Sequence, residues 1–165
     1  MDADIHYALP TRFGEFTPSI AVSNIYRWES AILPGQPAID AVSRATFTGV
    51  GWAPRWKGTA TLAWKKGALS ASLSGRYLGK YLDYQQSVPN TNEIGNSWTL
   101  NANAHYEFGE RLARSQPWIK KAYFTVGVVN LANRIPPFSY QSSWYDVEQY
   151  DIRGRYFFLN VGLRQ

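Results

Sequence analysis

The feature that most narrows the fold of this chain is a period of two residues, repeated in stretch after stretch. In SWTLNANAHYEFG (97–109), Trp98, Leu100, Ala102, Ala104, Tyr106 and Phe108 alternate with Thr99, Asn101, Asn103, His105 and Glu107. Successive side chains of an extended strand point to opposite faces, so this spacing lays an apolar row on one face and a polar row on the other. The last residues do the same, with Phe157, Leu159, Val161 and Leu163 against Tyr156, Phe158, Asn160, Gly162 and Arg164. EFTPSIAVSNIYRWE (15–29), where Asn24 and Ile25 break the pattern, KGTATLAWK (57–65), ALSASLSGRYLGKYLDY (68–84) and KAYFTVGVVNL (121–131) follow the same rule. Helical periodicity is nowhere sustained. The pattern predicts an all-β chain: an antiparallel up-and-down sheet of about six strands, preceded by a stub at 4–9.

The connections alternate in length. Short turns are expected near 10–14, 65–68 and, somewhat longer, 110–120. Long stretches rich in Pro, Gly, Asn and Ser fall at roughly 33–55, 85–96 and 132–152. In up-and-down order all the long loops then lie at one end, as they do in outer-membrane barrels with short periplasmic turns and long extracellular loops. A soluble sandwich has no reason to segregate its loops.

Alternation alone leaves open which face meets water. A soluble barrel turns its apolar face inward, and a membrane barrel turns it outward to lipid. The polar rows favour the second, because Ser70, Ser72, Ser74, Thr99, Asn101 and Asn103 are small and uncharged. A water-facing sheet normally carries more Lys and Glu there. Aromatics make up 16% of the chain, and Trp28, Trp64, Tyr77, Tyr81, Trp98 and Phe108 are expected near strand ends, where membrane girdles sit. No run approaches the roughly 18 apolar residues of a spanning helix.

Other classes are excluded or disfavoured by composition. There are no cysteines, hence no disulfide, thiolate metal site or cysteine nucleophile. The net charge of +5 is spread along the chain without a basic arm, so no nucleic-acid partner is expected. MDADIHYALP has neither a basic n-region nor an apolar core, so it does not read as a secretory signal; either the protein is cytosolic or its natural start lies upstream.

The closing stretch, VGVVNLANRIPPFSYQSSWYDVEQYDIRGRYFFLNVGL, resembles the C-terminal end of TonB-dependent outer-membrane receptors. Members of that family often carry N-L-x-[DN]-[KR]-x-P-P after the penultimate strand, matched by Asn130, Leu131, Asn133, Arg134, Pro136 and Pro137. Y-D-x-x-G-R-x-[FY] follows a loop, matched by Tyr150, Asp151, Gly154, Arg155 and Phe157. The resemblance extends more generically over the earlier strands. It implies that residues 1–165 are the C-terminal segment of a barrel of about 22 strands, with the plug domain and the other strands outside this chain. It also implies a place in the bacterial outer membrane. The partners would be lipid, the rest of the barrel and plug, and the TonB energy-coupling complex through the missing N-terminal part. The complete receptor would import a scarce nutrient, such as an iron chelate, cobalamin or carbohydrate. The family usually ends on an aromatic residue; Gln165 stands here instead.

The motif residues are read as structural, shaping the last hairpin; the Pro pair stops ladder pairing because proline cannot donate. Substrate contact is expected at 85–96 and from Tyr140, Trp144 and Tyr145. No catalytic residue, metal or cofactor is assigned: His105 lacks a serine in a nucleophile motif, and Asp146, Glu148 and Asp151 match no calcium-loop spacing. The alternative is a small soluble β-barrel that binds an apolar ligand, and a small outer-membrane esterase ranks third.

Overall fold

The computed structural model describes residues 1–31, 33–45, 51–84, 92–108, 121–141 and 143–164. The described elements are all strands. In chain order they are β1 (Asp2–His6), β2 (Leu9–Thr11), β3 (Gly14–Asn24), β4 (Glu29–Ser30), β5 (Ile39–Asp40), β6 (Trp56–Lys66), β7 (Leu69–Leu78), β8 (Tyr81–Leu82), β9 (Glu93–Ile94), β10 (Ser97–Glu107), β11 (Lys121–Val129) and β12 (Tyr156–Arg164). One antiparallel sheet runs β1-β3-β6-β7-β10-β11-β12, with β2 also pairing β3; β4–β5 and β8–β9 are separate two-residue ribbons. Its main strands are the six stretches picked out by alternation. The sheet is not closed: β1 and β12 are its two edges.

The register aligns like with like. Pro18, Leu62, Leu73, Ala102, Val128 and Phe157 are successive cross-strand partners, and so are Phe16, Trp64, Ala71, Ala104, Val126 and Leu159. Partners in an antiparallel ladder share a face, so these rows form one apolar surface. The row between them carries Thr17, Ala63, Ser72, Asn103, Gly127 and Phe158, and the rows flanking them carry Ser19, Thr61, Ser74 and Asn101, and Glu15, Lys65, Ser70, His105, Thr125 and Asn160. A one-residue slip would move each strand's apolar set to the other face. Aromatic rings on the polar face cover two glycines: Phe158 lies over Gly127 and Tyr123 over Gly162, leaving no room for a side chain there.

Nothing among the described residues covers the apolar face. Leu62 and Leu73 are 45% and 44% exposed, and Leu159 is 67% exposed. Apart from Ala122 of β11, the buried apolar residues lie elsewhere: Ala41, Val42, Ala45, Ala53, Leu78, Tyr81 and Ile94 all belong to, or abut, the long connections. Those connections leave from Asn24, Leu78 and Val129 and return at Trp56, Ser97 and Tyr156, so they share one end of the sheet. At the opposite end, Gly67 and Ala68 join Lys66 to Leu69 in a two-residue turn, with Gly67 at φ +58. The turn expected at 110–120 lies outside the described residues, as does the 85–91 part of the second long loop.

Three expectations need correction. The stub is not one strand but two, β1 and β2, parted at Tyr7 and Ala8. Tyr7 N–H donates to the Pro18 carbonyl at 3.1 Å, so the Pro18 nitrogen, on the same side, faces this gap with no hydrogen to donate. The first long strand ends at Asn24, where its alternation falters, and leaves Tyr26 and Trp28 in the loop rather than on a strand end. The 68–84 strand stops at Leu78. A Cβ at Gly79 would meet the Trp56 carbonyl at 2.9 Å, and Tyr81 is not a girdle residue but lies buried in the loop core.

Candidate functional site

The loop end is built around two buried carboxylates. Asp83, just after β8, is 1% exposed and takes four donors: Tyr84 N–H at 2.7 Å, Asn92 Nδ2 at 2.8 Å, Ser139 Oγ at 2.6 Å and Tyr140 N–H at 2.7 Å. Two of these come from the 130–155 connection, so Asp83 ties two loops that are distant in sequence. Asp146 accepts the Tyr81 hydroxyl at 2.7 Å and the amide of Glu148 at 3.0 Å, which caps the turn that follows it. Burial above all, then the bond to Asp146, pushes the Tyr81 phenol pKa well up. Burial also raises the Tyr150 phenol, whose buried oxygen finds no hydrogen-bond partner among the described residues. Around these groups pack Ala45, Leu78, Ile94 and Trp52, whose ring lies 4.5 Å from that of Tyr81. A buried carboxylate persists only when donors satisfy it, which explains why the loops converge here.

Beneath this cap, on the polar face, lies a cleft of about 300 Å³. Its floor is Arg76 of β7 with Thr99 and Asn101 of β10, and its wall is the 130–154 connection. Arg76 bonds that wall directly, Nη1 to the Gln149 carbonyl at 2.8 Å and Nη2 to Gln149 Oε1 at 3.4 Å.

The motif residues gather around the same cleft. Asn130 sits at φ +55, a left-handed conformation that asparagine tolerates, and its amide clamps Arg134 twice: Nδ2 donates to the Arg134 carbonyl at 2.7 Å, and Oδ1 accepts the Arg134 amide at 2.9 Å. Its own N–H donates to Asn101 Oδ1 at 2.9 Å, and Leu131 N–H donates to the Leu100 carbonyl at 2.7 Å. Asn133 Oδ1 receives the Arg155 amide at 2.9 Å, while Gly154, at φ +66, passes close to the same oxygen. Pro136, Pro137, Tyr150 and Asp151 line the cleft with them; Arg155 does not, its guanidinium reaching back to the Leu131 carbonyl at 3.4 Å. Asp151 is engaged by Arg153 at 2.6–3.0 Å, and that bond holds its carboxyl pKa below the usual range.

Of the three aromatics named for substrate contact, Tyr140 and Trp144 are exposed and gather around a third ring, Phe138, at 5.2 and 6.0 Å; Tyr145 is half-buried. Trp144 has φ +64, an uncommon conformation for a bulky residue. Asp146, Glu148 and Asp151 are not brought together, since Asp146 is committed to Tyr81 and Asp151 to Arg153. His105 Nδ1 lies 2.8 Å from Thr125 Oγ1, with its ring against Tyr123. Sequence reasoning missed Asp83, Ser139 and Arg76. An acid set between the aromatics of YLDY, just past a strand, is the one local signal that points to Asp83. Comparison with family models, curated proteins and solved structures found no match for this chain.

Proposed function

We propose that this chain forms wall and outer loops of a TonB-dependent receptor that imports a scarce nutrient across the bacterial outer membrane. One observation carries the reading. Across the sheet the register lines up an apolar surface that no second layer among the described residues covers, opposite a largely polar face. Domains in water bury such a face against another layer or inside a closed barrel. Here the packed residues, Ala122 apart, sit in the loop cap instead, and Leu62, Leu73 and Leu159 stand open. Lipid is the solvent that fits them, and aromatic residues flank them on the same face. Trp56, Tyr77 and Trp98 lie toward the loop end, and Trp64, Tyr106 and Phe124 toward the turns. The edges of an open sheet are intolerable in a bilayer, so the strands that pair with β1 and β12 would belong to the rest of the same barrel. Its plug and the TonB energy-coupling complex would be the remaining partners.

Expression tests this. The chain alone should collect as insoluble material and regain β-structure only in detergent, because water leaves both the apolar face and the open edges exposed. A monodisperse monomer in plain buffer with a cooperative melt would sink the proposal and promote a soluble ligand-binding barrel.

A further inference from the structure

We infer that the cleft between the polar face and the last loop is a binding site for small oxyanions, molecules presenting carboxylate or phosphate oxygens. The argument rests on which hydrogen-bonding atoms are already used. Four side-chain amides line the cleft; Asn130 has both its ends engaged by Arg134, and each of the other three has its oxygen engaged. Asn101 Oδ1 receives the Asn130 amide, Asn96 Oδ1 receives Tyr77 Oη at 3.1 Å and the Lys80 amide at 2.9 Å, and Gln149 Oε1 receives Arg76. The donors fix these orientations, since an N–H cannot donate to an NH₂ group. Among the described residues no partner is found for the NH₂ groups of Asn96, Asn101 and Gln149. What the cleft offers a ligand is therefore biased toward donors.

Charge runs the same way. Arg76 and Arg134 both line the cleft. Arg76 is positioned by neutral acceptors alone, the carbonyl and amide oxygens of Gln149, and among the described residues no carboxylate lies within ion-pair distance of it. The Arg134 backbone is fixed by Asn130, while its guanidinium makes no intramolecular bond among the described residues. The one carboxylate in the described lining, Asp151, is taken by Arg153. Guanidinium forks with amide donors around a cavity of about 300 Å³ match a compact anion of several oxygens, at the small end of ligand sites. This deepens the receptor proposal by naming a substrate class, and as a transport site it rests on that proposal; as an anion site it stands on the cleft alone.

The test is calorimetric titration of the folded full chain, in detergent micelles or in buffer if it proves soluble. The probes are citrate, inorganic phosphate and, as a neutral polyol, sorbitol. Saturable binding of citrate or phosphate is expected, weakening as salt is raised, with none of sorbitol. Which anion binds distinguishes a carboxylate from a phosphate ligand. Arg134→Gln, chosen because that guanidinium makes no hydrogen bond or ion pair among the described residues, should weaken binding about ten-fold or more. Arg27→Gln, at a loop guanidinium paired to Glu29 outside the cleft, should leave it unchanged. Equal affinity for sorbitol, an Arg134→Gln chain that binds as before, or no anion binding by a chain with native near-ultraviolet dichroism would each overturn the inference. A chain that binds citrate yet is soluble without detergent would defeat the membrane reading only.

Discussion

Placing an arginine at Ala102 and, separately, at Asn103 measures whether the two faces of this sheet meet different solvents. β10 spans 11 residues, Ser97–Glu107, with Ala102 at its centre. At about 3.4 Å per residue and a tilt near 45°, such a strand rises about 25 Å, the height of a membrane barrel's apolar band. Ala102 lies between Leu73 and Val128 in the ladder, in the middle of the apolar row. An arginine there must hold its charge near the bilayer midplane, at a cost of about 2–4 kcal/mol. Asn103, one residue on, shares the opposite face with Ser72 and bonds its hydroxyl at 2.8 Å. Replacing it forfeits that bond, about 1 kcal/mol, and leaves the charge among polar groups. The assay is reversible urea unfolding in phospholipid vesicles of the complete receptor carrying this segment. Ala102→Arg should move the midpoint strongly with an unchanged slope, and Asn103→Arg should move it by no more than the loss of that one bond. Equal shifts at the two positions would refute the division into a lipid face and a polar face.

Two further outcomes concern the loop cap. Asp83→Ala should cost about 3 kcal/mol or more, because it takes the acceptor away from four donors at a buried position. Hydrogen exchange at the Tyr140 amide should accelerate while the β7–β10 ladder stays protected; unchanged exchange at Tyr140 would contradict the loop tie. Tyr81 makes the cap sensitive to alkali. Its folded-state pKa is raised above the ordinary value of about 10, so the unfolded chain loses the proton first. Its stabilising contribution is then whole below about pH 10 and is lost as pH rises beyond it. Ultraviolet titration should find the buried phenols, Tyr81 above all, resisting ionisation after the exposed tyrosines have titrated, and Tyr81→Phe should remove the most resistant component; a single uniform titration of all tyrosines would count against it.

The sequence by itself determined the six main strands, their alternating faces and their order. A period of two is a local property, and neighbouring strands with matching rows can pair in few other registers without exposing every side chain on the wrong face. The clustering of long connections at one end followed from their lengths in the same way. Pro18 also stood in plain view, yet its effect did not: only the pairing of β3 with two neighbours shows that its missing N–H parts β1 from β2. The loop core was decided by tertiary structure alone. Asp83 and Ser139, or Tyr81 and Asp146, lie more than fifty residues apart and meet because the strands return their loops to one place. A buried carboxylate carries no signature in its own neighbourhood, since the groups that satisfy it come from elsewhere in the chain. The donor bias of the cleft has the same origin: which end of an amide is free depends on partners that only the folded chain assembles.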